Sequence, residues 1–225
     1  MERIQDFREQ QYEKFGFEEA YREMGDLAFA MEGKVFSSAD RERLLFSAEG
    51  IAVRKNQLIV VKGGNGTGKS TLSNLLTGFT DIEIFDGSLQ LDPILAGASY
   101  LSRPILFADG DIKENMFGRE IDPEVFEMLG ISFADKIINE SGSNLSFGEQ
   151  QKLGLLRVLS SEAEVIILDE PFTNLDRESI RRVAAFIEKI KRGKTILAIM
   201  HSAEMDAFAD LIFEIREGKL VSIKK

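Results

Sequence analysis

The chain contains no cysteine. A disulfide, a zinc–thiolate site and a thiol nucleophile are therefore all excluded, and the composition fits a reducing compartment. Positive charge is also scarce, with 28 Lys and Arg against 38 Asp and Glu for a formal net charge of −10. Nucleic-acid phosphates need a basic surface to displace their counterions, so a nucleic-acid partner is not expected. Nucleotide binding is not excluded, because a few backbone N–H groups and one lysine suffice for it. No apolar run approaches the roughly 20 residues of a membrane span. The longest aliphatic stretches, 58–61 and 165–168, have the length of buried strands. The first residues, Met1-Glu-Arg-Ile-Gln-Asp, lack the apolar centre of a signal peptide. Any membrane-spanning part lies elsewhere. Histidine occurs once, as His201.

What is present suits one large domain, or one domain with an inserted lobe: 225 residues, of which 44% are hydrophobic and 29% charged. Residues 1–25 are rich in Glu, Arg and Gln. Ile4, Phe7, Phe15, Phe17, Ala20, Tyr21 and Met24 fall near helical spacing there, which predicts an amphipathic segment. It would pack on its own domain or link to a partner domain, and it fits a whole subunit as well as an excised domain. Short strands are expected over 26–53. An aliphatic strand over 58–62 runs into a glycine-rich loop and a helix over 69–77. Residues 82–91 read as a β pair around Asp86-Gly87, and 98–101 as a strand. Residues 111–160 read as helical, with breaks near 118–123 and 141–144. A strand over 164–168, a helix over 177–191, a strand over 194–199, a helix near 203–209 and a hairpin turning at Glu217-Gly218 complete the chain. This βαβ alternation predicts a parallel sheet with helices on its faces.

Three segments carry phosphate chemistry. Gly63-Gly-Asn-Gly-Thr-Gly-Lys-Ser-Thr71 is a full P-loop between a strand and a helix. Its backbone N–H groups converge on a phosphate, Lys69 reaches the β- and γ-phosphates, and the Ser70 hydroxyl ligates Mg²⁺. Val165-Ile-Ile-Leu-Asp-Glu170 is a strand ending in two acids. Asp169 suits the Mg²⁺ side, and Glu170 is placed to polarise an attacking water. Leu145-Ser-Phe-Gly-Glu149 opens a helix that Ser146 can cap.

Together with Thr173-Asn-Leu-Asp176 and His201, these segments resemble the motifs of the ATPase domain of ABC transporters, in order and spacing across residues 63–202. The resemblance implies an α/β fold: a P-loop NTPase core with a parallel sheet, an antiparallel β-lobe and an inserted helical subdomain at about 103–160, all within residues 26–225. It implies ATP and Mg²⁺ as ligands. Lys69, Glu170 and His201 would be catalytic, with His201 contacting the γ-phosphate and steadying Glu170. Gly63, Asn65, Gly66, Thr67, Gly68, Lys69, Ser70 and Thr71 would bind the nucleotide. Phe36 is placed either to stack on adenine or as a core residue. Ser70, Asp169 and Ser102 would form the metal side. The signature residues Ser146, Phe147, Gly148 and Glu149 would close over the nucleotide of a second copy, with Asp176 along the same interface, in a head-to-tail dimer holding two ATP molecules.

Two further stretches, 105–118 and 140–145, resemble segments by which export ATPases meet their membrane domain. They imply a transmembrane partner and a cytoplasmic position at the inner face of a membrane. The sequence also departs from the family pattern. Its usual Q-loop glutamine is replaced by Ser102 or Arg103, depending on the anchor, and Phe147 stands for a signature glycine. These departures favour a second reading, an ATP-dependent clamp or regulator with weak hydrolysis, which Glu170 and His201 oppose. A third reading, a soluble ABC ATPase outside transport, is opposed by the acidic charge and the exporter-like stretches.

Overall fold

A computed structural model describes residues 20–101 and 103–224. Most of the expected N-terminal helical segment, and Ser102, lie outside the described residues. Within residues 20–25 the chain is not helical: Arg22 N–H donates to Leu91 O, and Leu91 N–H donates to Ala20 O.

Nine strands form one mixed sheet: β1 (Leu27–Phe36), β2 (Leu44–Arg54), β3 (Leu58–Gly63), β4 (Phe85–Leu91), β5 (Ser99–Leu101), β6 (Val165–Asp169), β7 (Thr195–Ile199), β8 (Leu211–Arg216) and β9 (Lys219–Lys224). Their spatial order is β4-β1-β2-β9-β8-β3-β7-β6-β5. The β8-β3-β7-β6-β5 half is parallel and forms the core, while β4-β1-β2 is antiparallel and forms the lobe. Among the described residues four α-helices accompany the sheet: α1 (Lys69–Leu76), α2 (Pro123–Leu129), α3 (Phe147–Leu159) and α4 (Arg177–Ile190).

Strand alternation explains the aliphatic runs. Leu58 and Val60 of β3 join one hydrophobic cluster with α2, α3 and α4, while Ile59 and Val61 join a second with α1 and the β-lobe. Successive side chains of a strand point to opposite faces, so a strand covered on both faces reads as continuously apolar. β6 repeats the pattern, with Ile166 and Leu168 on one side and Val165 and Ile167 on the other.

Three expected elements differ. Residues 82–91 are not a β pair but a 3-10 turn, Ile82–Ile84, followed by the single strand β4. Gly87 sits mid-strand opposite Gly33 of β1, where a Cβ on Gly33 would lie 2.3 Å from Asp86 O. The glycine marks a close backbone approach, not a hairpin turn. The segment near 203–209 forms successive turns instead of a helix, with the Asp206 carboxylate drawn 2.5 Å from Lys62 Nζ. Within 111–160, helix is limited to a 3-10 turn at Glu114–Met116, α2 and α3. Asn139, Ser141, Ser143 and Asn144 bond locally to one another and to the backbone, which competes with helix formation between α2 and α3. None of the helices among the described residues is long and apolar enough to cross a membrane.

Candidate active site

The P-loop leaves β3 at Gly63 and enters α1 at Lys69, as expected. Gly68 precedes α1 with a φ of +104°, and a Cβ there would meet the Phe46 ring at 3.0 Å. Only glycine lets the loop close against β2 at this point. No side chain caps α1, so the N–H groups of its first turn are left for a ligand. Gly64, Asn65 and Gly66 form the exposed crest, and Thr67 Oγ1 donates back to Gly64 O at 2.9 Å.

Lys69 is 8% exposed, and its Nζ donates to Gly63 O at 3.0 Å and to Gly64 O at 2.9 Å. The ammonium is thus anchored on the loop's own carbonyls. Burial lowers its pKa, against the opposing pull of Glu170 and Asp169.

Strand register brings the two acids and the histidine to this loop. Asp169 ends β6 beside Ile199 of β7, and Ile199 also pairs with Val61 of β3. Ser70 Oγ donates to Asp169 Oδ2 at 3.1 Å. Glu170 follows in a left-handed conformation, φ +51°, which costs a non-glycine residue roughly 1–3 kcal/mol. Its backbone is pinned by Glu170 N–H donating to Ile199 O at 3.0 Å. His201 Nε2 lies 3.2 Å from Glu170 Oε1, off hydrogen-bond alignment, so that Oε1 is buried with no aligned donor among the described residues. Burial raises the Glu170 pKa most, and Asp169 raises it further, while His201, Lys69 and Arg103 pull it down.

Lys69, Ser70, Asp169, Glu170 and His201 therefore converge at the carboxyl ends of three adjacent parallel strands, where open α/β sheets bind ligands. The family model of the ABC transporter matches residues 50–173, more than half of the chain. The chain belongs to the ABC transporter family. It is an ATPase domain of that family. It is 31% identical over 222 residues to an ATP-dependent lipid A-core flippase of Bordetella pertussis, covering 88% of this chain and 35% of the relative. An uncharacterized ABC transporter ATP-binding protein of Haemophilus influenzae is 32% identical over 205 residues, covering 82% of this chain and 37% of that protein. The chain thus spans little more than a third of the length of these relatives. Its fold matches that of a bacterial Atm1-family ABC exporter with ATP bound, at a TM-score of 0.72 and 21% identity, over 88% of this chain and 38% of that one.

The signature and the Asp176 turn of this ABC domain lie together. Ser146, Gly148, Glu149, Asn174 and Asp176 help to line one hollow of about 170 Å³. Ser146 and Glu149 form a reciprocal capping box at the start of α3, and Lys136 Nζ reaches Glu149 Oε1 at 2.7 Å. The Lys136 hydrogen bond is the main cause of a lowered Glu149 pKa after allowance for burial and the Ser146 bonds. Asp176 caps α4 through Glu178 N–H and Ser179 N–H and accepts the Ser179 hydroxyl at 2.6 Å, which lowers its pKa to about 2. Phe147 is 72% exposed. No hydrogen bond or ion pair among the described residues joins this hollow to residues 63–71.

A separate hollow of about 300 Å³ adjoins the P-loop, walled by Ser37, Arg43, Leu45, Gly66, Gly68 and Thr71 among others. Phe36, the last residue of β1, is half-buried and is not among its walls. Arg43 and Leu45 escaped the sequence reading because the β1–β2 loop reaches the P-loop only in the folded sheet.

Arg157 was also missed. It is buried with no carboxylate partner among the described residues, donating to Leu106 O at 2.5 Å, to Asn115 Oδ1 at 3.1 Å and to Asn115 O, with its guanidinium 4.6 Å from the Phe117 ring centre. Burial, with Arg119 adding repulsion, brings its pKa down to about 10. This one side chain ties the 105–118 stretch to α3 and leaves Leu106 and Phe117 exposed at 70% and 54%.

Proposed function

We propose that this domain hydrolyses ATP as a head-to-tail dimer and drives a membrane-spanning exporter partner from the cytoplasmic face. The observation that carries the reading is the convergence of Lys69, Ser70, Asp169, Glu170 and His201 on one loop. Supporting the dimer is the second, separate hollow lined by the signature and Asp176, where the nucleotide of another copy would sit.

The residues fit Mg²⁺. Ser70 Oγ and Asp169 Oδ2 are hard oxygen donors 3.1 Å apart, matching the few protein ligands that this ion takes beside nucleotide phosphates. When bound, Mg²⁺ would neutralise phosphate charge. The chain's own groups do the rest. The P-loop N–H groups and Lys69 hold the β- and γ-phosphates, and the adenine lies toward the Ser37–Arg43–Leu45 hollow at the end of β1 that carries Phe36. Glu170 Oε1, buried and without an aligned donor, accepts a proton or hydrogen bond from water set in line with the γ-phosphate. His201, beside that oxygen, steadies the carboxylate and reaches the phosphate edge. Ser146 and Gly148 of the second copy would complete the site through the N-terminal N–H groups of α3.

The exposed Leu106 and Phe117, displayed by Arg157 on the helical lobe, supply the apolar face expected to meet the membrane partner. The clamp reading with weak hydrolysis keeps its two supports, the missing Q-loop glutamine and Phe147 at the signature. Hydrolysis measured against enzyme concentration separates the two. The motor reading expects activity that rises more steeply than linearly with protein. Tight ATP binding with no phosphate release at any concentration would favour the clamp.

A further inference from the structure

The Glu170 peptide is held at once from the end of β5 and from α3. Its carbonyl oxygen receives Arg103 Nη2 at 3.1 Å, Gln151 Nε2 at 3.4 Å and Thr173 N–H at 3.3 Å. Arg103 Nη2 also donates to Gln151 Oε1 at 3.2 Å, and Gln151 Nε2 donates to Pro171 O at 2.8 Å. Gln151 is 2% exposed, on α3 one turn beyond the signature, whereas Arg103 leaves the end of β5 and is exposed. These side chains come from positions 48 residues apart and meet on a backbone whose φ is +51°. A peptide in that conformation relaxes unless its surroundings over-determine it.

We propose that Arg103, acting with Gln151, is a positioning residue for Glu170: the two side chains lock the peptide that aims the carboxylate, and they link that aim to α3. Arg103 does this without touching the reacting atoms. A single guanidinium nitrogen, Nη2, serves two acceptors, Gln151 Oε1 and Glu170 O, at the end of a side chain longer than that of lysine. Because α3 carries the signature at its N-terminus, docking of a second copy on the signature would shift Gln151 and with it the Glu170 carbonyl. The proposal rests on the ATPase reading above.

The test is steady-state ATP hydrolysis by the full chain for wild type, Arg103→Met, Arg103→Lys and Gln151→Leu, with binding of a fluorescent ATP analogue and a melting curve for each. Misplacing a catalytic group by a fraction of its reach costs on the order of 10- to 100-fold. Arg103→Met should lose about that factor in kcat, with the KM for ATP within about threefold of wild type. Arg103→Lys should recover part of the loss, and Gln151→Leu should fall in the same direction as Arg103→Met. The double variant should lose less than the product of the single losses, since both act on one carbonyl. Unchanged kcat in Arg103→Met overturns the proposal. So does a raised KM with kcat intact, which would make Arg103 a phosphate contact. If Arg103→Met does not fold, Arg103→Lys decides: a reduced kcat at unchanged KM supports the positioning role, and wild-type kcat overturns it. A wild type that binds ATP and never hydrolyses it overturns the ATPase reading itself, a result distinct from each of these.

Discussion

Glu170→Gln should lower ATP hydrolysis by about 10²- to 10⁴-fold, the usual contribution of a general base, while leaving ATP binding close to wild type. The reasoning is local. Glutamine keeps the side-chain volume and the backbone contacts of Glu170, including its N–H bond to Ile199 O. It removes only the negative oxygen that stands 3.2 Å from His201 Nε2. The P-loop, Lys69 and the Ser70–Asp169 pair are untouched, so the nucleotide still has its anchors. Replacing the raised-pKa acid by an amide also removes one negative charge beside Asp169, and ATP affinity should not weaken for that reason. Phosphate release and analogue binding, measured on one preparation, check both halves. Hydrolysis within a few-fold of wild type would show that Glu170 is not the base.

Lys69→Ala should have the opposite signature, losing binding and with it all turnover. Charge-assisted hydrogen bonds to phosphate contribute about 1.5–3 kcal/mol, so ATP affinity should fall about 10- to 150-fold. The structure adds a second consequence. Lys69 Nζ satisfies the carbonyls of Gly63 and Gly64, so the alanine variant also loosens the loop that presents the phosphate-binding N–H groups. Lys69→Arg should not rescue it, because a planar fork cannot sit where a compact ammonium meets two carbonyls of one turn. Equilibrium binding of a fluorescent ATP analogue gives the number. Affinity unchanged in Lys69→Ala would remove the lysine from the phosphate site.

How much of this was legible in the sequence follows from the range of the forces involved. The P-loop was readable because its chemistry is backbone chemistry. Glycines and one lysine at fixed spacing, after an aliphatic strand, define the cradle almost without tertiary context. Asp169 and Glu170 were readable because they end a short aliphatic run with the length of a buried strand, whereas His201 was readable only through the order of motifs that resembles the family. The Ser146 cap is local, three residues from Glu149, and was legible for that reason, whereas the Asp176 cap is equally local and went unread. Gln151 was assigned no role and Arg103 only the place of the missing glutamine, since each gains its partner across the fold, with Arg103 and Glu170 67 positions apart. Arg157 was hidden similarly: nothing in its neighbours along the chain shows that it will be buried among the carbonyls of Leu106 and Asn115. The misread elements had local pattern without tertiary support. Asp86-Gly87 carries a hairpin signal, yet Gly33 opposite it demanded a strand. The apolar spacing over 203–209 suits a helix, yet turns place Met205 in the core and Asp206 against Lys62. Residue Ser102, one of the two candidates for the position of the missing glutamine, lies outside the described residues. Its neighbour Arg103 has the contacts reported above.

The central claim is that each ATP is enclosed by the P-loop of one copy and the signature of another. Mixing two inactive variants tests it most directly: Lys69→Ala, which keeps its signature, and Ser146→Arg, which keeps its P-loop. Each alone should be silent. Mixed at equal concentration, they form some dimers with one complete composite site, and ATP hydrolysis should reappear, saturating as either variant is titrated against the other. If the mixture stays as inactive as its components while both variants remain folded and Ser146→Arg still binds ATP, the composite site does not exist and the account is wrong.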